Sequence, residues 1–123
     1  MSSPFKVLLV EDIKIARLAV KSSVSSLNWQ IDMAESGQEA ILFCEKTSYD
    51  LVLMDIGLPD ISGVEAAKVI KRNHPDVPIV ALTAHFDDET KASAMAAGMD
   101  GFIQKPFTLD KARKLCLKHV ATC

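Results

Sequence analysis

Aromatic residues make up only 6% of this 123-residue chain, and its three cysteines, Cys44, Cys116 and Cys123, form neither a CxxC pair nor a Cys/His pattern. That odd, widely spaced set excludes a disulfide framework and a thiolate metal site, and reads as reduced, structurally incidental thiols in a cytoplasmic setting. Long apolar runs are also missing. The longest early one, Val7 to Val10, is closed at once by Glu11 and Asp12, too short for a signal-peptide core or a membrane span, so no membrane insertion is expected. Nor is positive charge in excess: 14 basic residues face 16 acidic ones, a formal −2. A dedicated nucleic-acid binder needs a basic surface to displace phosphate counterions, so direct nucleic-acid contact is not expected. Glycine and proline gather in no linker, no segment is of low complexity, and no internal repeat of solenoid length appears. A single soluble domain over 1–123 follows, with its core at about 6–120. At this length a chain buries roughly two-thirds of the surface it exposes when unfolded, enough for a proper core without staples.

What the sequence does contain is a series of short apolar runs: Val7 to Val10, Leu51 to Met54 and Ile79 to Leu82, with weaker ones at Gln30 to Ala34 and Gly101 to Gln104. Runs of four or so suit strands buried on both faces. Amphipathic stretches separate them. In the first, Ile13, Ala16, Val20, Val24 and Leu27 fall on one helical face, with Lys14, Arg17 and Lys21 elsewhere. Ser36 to Glu39 and Ser62 to Glu65 have capping-box spacing. Asp87, Asp88 and Glu89 place negative charge where a fourth helix begins, Gly98 sits where it would stop, and Thr108 can cap a fifth. Five strands alternating with five helices predict an α/β fold with right-handed crossovers and a mostly parallel sheet covered on both sides.

In such sheets ligands bind beyond the carboxyl ends of the strands, so the residues ending each run matter most. Those are Glu11 and Asp12, Asp55, Thr83 and Lys105. Any one of them reads equally well as a solvated loop residue, but the set does not. Three ionised carboxylates opposed by one ammonium leave about −2, which attracts a hard divalent cation, magnesium or manganese in its place. With the charge balanced, a phosphoryl group can approach and a carboxylate can act as nucleophile, giving an aspartyl phosphate.

Four blocks in order carry a family resemblance: Leu8 to Asp12, Leu53 to Gly63, Ala81 to His85 and Gly98 to Phe107. Over about Lys6 to Val120 the chain resembles the receiver domain of two-component response regulators. The resemblance implies a flavodoxin-like, doubly wound (βα)5 sandwich with strand order 2-1-3-4-5. It implies that Asp55 is the phosphoacceptor, and that Glu11, Asp12, Asp55 and the backbone carbonyl of Gly57 form the magnesium site. Thr83 would hydrogen-bond one phosphoryl oxygen and Lys105 would pair with another, after a cis peptide between Lys105 and Pro106. Thr83 and Phe102 would form the switch that reshapes the face of the fourth helix, fifth strand and fifth helix, although Phe102 also reads as a plain rim aromatic. Many relatives carry Tyr there, so Phe keeps only the steric part. The partners implied are a sensor histidine kinase or a histidine phosphotransfer domain, then a downstream protein, with a weak dimer through the reshaped face. The Leu82 to His85 block is similar to receivers of hybrid sensor kinases. The domain would promote only its own phosphorylation and dephosphorylation and would not otherwise be an enzyme.

Three departures from the family pattern stand out. Ile13 follows the acidic pair where hybrid-kinase relatives often have Asn, and Gly57 and His85 flank the path of attacking water, where they are expected to set phosphoryl lifetime. His74 and His119 read as incidental. Lys111, Arg113, Lys114 and Lys118 read first as a solvated face, and second as a docking or dimer surface. A degenerate receiver acting as a phosphorylation-independent interaction module is the alternative. An aspartate-nucleophile phosphatase would want a second Asp where Gly57 stands, and a flavin protein a phosphate-cradling loop where Glu11 and Asp12 stand.

Overall fold

The computed structural model describes residues 4–56, 58, 62–84 and 87–119. Five strands, β1 (Phe5–Val10), β2 (Trp29–Ala34), β3 (Leu51–Asp55), β4 (Ile79–Thr83) and β5 (Gly101–Gln104), alternate with five helices. The helices are α1 (Lys14–Ser23), α2 (Gly37–Lys46), α3 (Gly63–Asn73), α4 (Asp88–Ala96) and α5 (Leu109–His119). The strands pair in parallel, in the order β2-β1-β3-β4-β5. Register aligns Val10 with Ala34 and Met54, Asp55 with Leu82, and Thr83 with Gln104, so the carboxyl ends share one edge.

Side chains alternate across the sheet and feed two cores. Leu8, Val10, Val52, Met54, Ile79 and Ala81 pack beneath α2, α3 and α4, with Ala40, Ala66, Ala67, Ile70 and Ala94 opposing them. Val7, Leu9, Leu51, Leu53, Val80 and Leu82 pack on the other face against Val20, Ala112, Leu115 and Cys116 of α1 and α5. β1 from Val7, β3 and β4 are buried on both faces, which is why each carries an unbroken run of four apolar residues.

The caps follow the local chemistry. The Ser36 hydroxyl accepts from the Glu39 amide at 3.1 Å, that of Ser62 from the Glu65 amide at 3.2 Å, and that of Thr108 from the Lys111 amide at 3.3 Å. The Asp87 carboxylate accepts from the Thr90 amide at 2.7 Å, and Gly98 takes a φ of 88°, which only glycine adopts freely, just past α4.

The first helix departs from expectation. Ile13 precedes α1 as its N-cap and is 55% exposed, while Arg17, expected on the polar side, is buried. Cys44 is a free buried thiol, pushed up to about 11 by burial, whereas Cys116 is disulfide-bonded, against the expectation of reduced thiols. No helix among the described residues is long and apolar enough to cross a membrane.

Candidate functional site

Each candidate residue stands where a strand runs out. Glu11 follows β1, its amide donating to the Ala34 carbonyl at 3.0 Å, and is 1% exposed; Asp12, next to it, faces solvent. Asp55 and Thr83 are the last residues of β3 and β4, and both are buried. Lys105 follows β5 and its amide donates to the Thr83 carbonyl at 2.8 Å, which starts its side chain at the same edge. From there the Nζ reaches Oε2 of Glu11 and Oδ2 of Asp55, each at 3.2 Å. One ammonium thus bridges two carboxylates. The Lys105–Pro106 peptide is cis.

Packing this much acid together has an electrostatic cost. Burial, then a hydrogen bond and charge repulsion from Asp55, push the Glu11 carboxyl up to about 7, with Lys105 acting against them. For Lys105, burial favours the neutral amine, but the charges and hydrogen bonds of Asp55 and Glu11 outweigh it and hold the ammonium above its ordinary range.

The donor set fits a hard cation. Glu11, Asp12 and Asp55 each offer a carboxylate oxygen, and these atoms all lie within 4.8 Å of one another. Oε1 of Glu11 is buried with no hydrogen-bond partner, an acceptor whose charge suits a cation. All three donors are hard oxygens, as magnesium prefers, and no sulfur or imidazole lies among them.

Two residues that support this site are not apparent as such in the sequence. The Arg17 guanidinium donates to the Glu11 carbonyl oxygen at 2.8 Å and to Oε1 of Glu35 at 2.9 Å, tying the loop after β1 to the loop after β2. Its spacing carries a partial signal: Arg17 lies three residues before Val20 and seven before Val24, on the sheet-facing stripe, where its charge masks the pattern. Lys111, read first as part of a solvated face, donates to the carbonyls of Gln104 at 2.8 Å and Pro106 at 2.9 Å, clamping the backbone on either side of Lys105.

Gly63 opens α3 hard against the end of β3: its amide donates to the Ile56 carbonyl at 2.9 Å, and a Cβ there would collide with the Asp55 carbonyl oxygen. Phe102 pairs with Ala81, leans half-buried on the core under α2 to α4, and lies on the face that Thr83 continues by alternation. Gly57 and His85, expected to tune phosphoryl lifetime, and Gly57 as a metal ligand, lie outside the described residues.

Comparison with known proteins agrees with this geometry. The family model described as the response regulator receiver domain matches residues 7–116. Histidine kinase 5 of Arabidopsis thaliana is 36% identical over 142 aligned residues, covering 93% of this chain and 15% of that protein. The chain spans about one-sixth of the length of the plant kinases it matches. The receiver domain of sensor histidine kinase PA1611 from Pseudomonas aeruginosa, solved with a magnesium ion in its active-site cleft, superposes with a TM-score of 0.88. It is 28% identical, over 97% of this chain and 99% of that one. Response regulator TrrA of Thermotoga maritima, solved with magnesium and beryllofluoride, gives 0.83 at 32% identity, over 94% and 98% of the two chains. With the family model covering nearly the whole chain, and the five-stranded order and the acidic edge in place, the protein belongs to the response regulator receiver domain family.

Proposed function

We propose that the chain is a phosphoacceptor switch, in which Asp55 takes a phosphoryl group from a partner phosphohistidine in a magnesium-dependent reaction. The observation that carries this reading is the Lys105 ammonium held at 3.2 Å from both Glu11 and Asp55 within a cluster of three carboxylates. An oxygen of Asp55 attacks phosphorus; its P–O bond forms as the P–N bond to the partner imidazole breaks, and that imidazole leaves with the electron pair. Glu11, Asp12 and Asp55 would hold magnesium, which supplies neutralising charge and orients the phosphoryl oxygens. Lys105 moves from its carboxylate partners to a phosphoryl oxygen, and the Thr83 hydroxyl donates to another. As Thr83 is drawn inward, Phe102 turns into the vacated space and the face of α4, β5 and α5 changes shape for a downstream protein. A weak dimer through that face and a cytoplasmic setting belong to the same reading. No separate metabolite is turned over, so the domain promotes only its own phosphorylation and hydrolysis.

The kinase names of its relatives favour a sensor histidine kinase or histidine phosphotransfer domain as donor or recipient. The test is intact mass after incubation with magnesium and acetyl phosphate, beside D55N and a no-metal control. One added phosphoryl group, lost on hydroxylamine treatment and absent from both controls, is expected. No adduct, with no beryllofluoride binding by the folded protein, would replace this reading with a phosphorylation-independent interaction module.

A further inference from the structure

The Nζ of Lys91, in the first half of α4, stands 5.3 Å from the centre of the Phe102 ring and over its face. A ring without a hydroxyl still has a negative face, and an ammonium above it is attracted at the distance where such contacts count. The ring also sits where a switch would act: Phe102 pairs with Ala81, and Thr83 ends the same face two residues on. Lys105 is meanwhile still paired with Asp55, the arrangement before any phosphoryl group arrives.

We propose that Lys91 is a positioning residue for the switch, its ammonium over the ring holding Phe102 in the place it takes before phosphorylation. The proposal rests on the phosphoacceptor reading and adds to it the restraint that the phosphoryl group must overcome. A contact made in one state and lost in the other biases the equilibrium by its own strength, so removing it favours the switched state and tightens binding of anything that prefers that state.

The test is the affinity of the magnesium-bound protein for beryllofluoride, read by NMR, in the native chain, K91M, K91R, F102L and K91M/F102L. K91M keeps the aliphatic stem and removes the charge; K91R keeps a cation. K91M is expected to bind beryllofluoride about two- to fivefold more tightly, with K91R close to the native chain. In the F102L background K91M should have no effect, which separates the ring contact from every other interaction of Lys91 on α4. In the ligand-free protein, three-bond couplings of Phe102 should show a single χ1 rotamer in the native chain and K91R, and averaging in K91M. Equal affinity in K91M and the native chain, or an undiminished K91M effect without the ring, overturns the proposal. Failure of the native chain to bind beryllofluoride overturns the phosphoacceptor reading and the switch role with it.

Discussion

Glu11 is held against its own charge, and that has consequences for stability. Its carboxyl titrates near 7 in the folded chain because it is buried beside Asp55, against about 4.3 in an unfolded one. A group whose folded value is raised favours the fold below the unfolded value and loses that contribution as pH rises through the folded one. Metal-free protein is therefore expected to be most stable below about pH 4.3 as far as Glu11 decides it, and to weaken towards pH 7. Urea midpoints in EDTA across that range would show the decline, and E11Q should flatten it; an equal slope in E11Q would place the linkage elsewhere. Arg17 acts on the same residue through the backbone. R17M leaves the Glu11 carbonyl without its donor and is expected to cost about 1–3 kcal/mol and to weaken magnesium binding. An unaltered magnesium titration in R17M would mean that the loop after β1 keeps its shape without the guanidinium.

At the scale of elements, the ends matter more than the middles. Helix starts were readable because capping is a local transaction between a side chain and an amide three residues on, as at Ser36, Ser62 and Thr108. The role of Gly63 was not readable. Its sequence position says only that a small residue opens α3, whereas the collision awaiting a Cβ comes from the end of β3, eight positions back in the chain and adjacent in space. Two substitutions separate these cases. S36A removes the cap of α2, a helix that carries none of the candidate site residues, and should cost about 1 kcal/mol in chemical denaturation, leaving phosphoryl uptake from acetyl phosphate unchanged. G63A forces α3 away from the Asp55 carbonyl and should cost about 1–3 kcal/mol while also slowing that uptake, since the displaced backbone carries Asp55, the proposed acceptor. Equal uptake rates in the two variants would detach the start of α3 from the site.

The whole molecule couples the site to the fold, because the three carboxylates converge only when β1 and β3 are paired in register. A cation that binds the native chain and not the unfolded one stabilises it by mass action, by about 2.7 kcal/mol at a hundred times its dissociation constant. Urea midpoints should accordingly climb with magnesium concentration at pH 7 and stay level in D12N; an equal climb in D12N would remove Asp12 from the metal site. By itself the sequence determined the number and type of elements, their parallel alternation and the edge on which chemistry gathers, because run length, helical period and capping are local properties. Asp55, Thr83 and Lys105 were legible for the same reason, since each simply ends or follows an apolar run. The strand order came from the family resemblance rather than from the pattern of residues. Only the tertiary structure decided that Arg17 and Glu11 are buried, that Ile13 is exposed, that Lys111 clamps the loop around Lys105, and that Lys91 covers Phe102. A charge takes its environment from groups distant along the chain, as Lys105 does from Glu11, 94 residues away, and Asp55, 50 residues away. No local period records those neighbours.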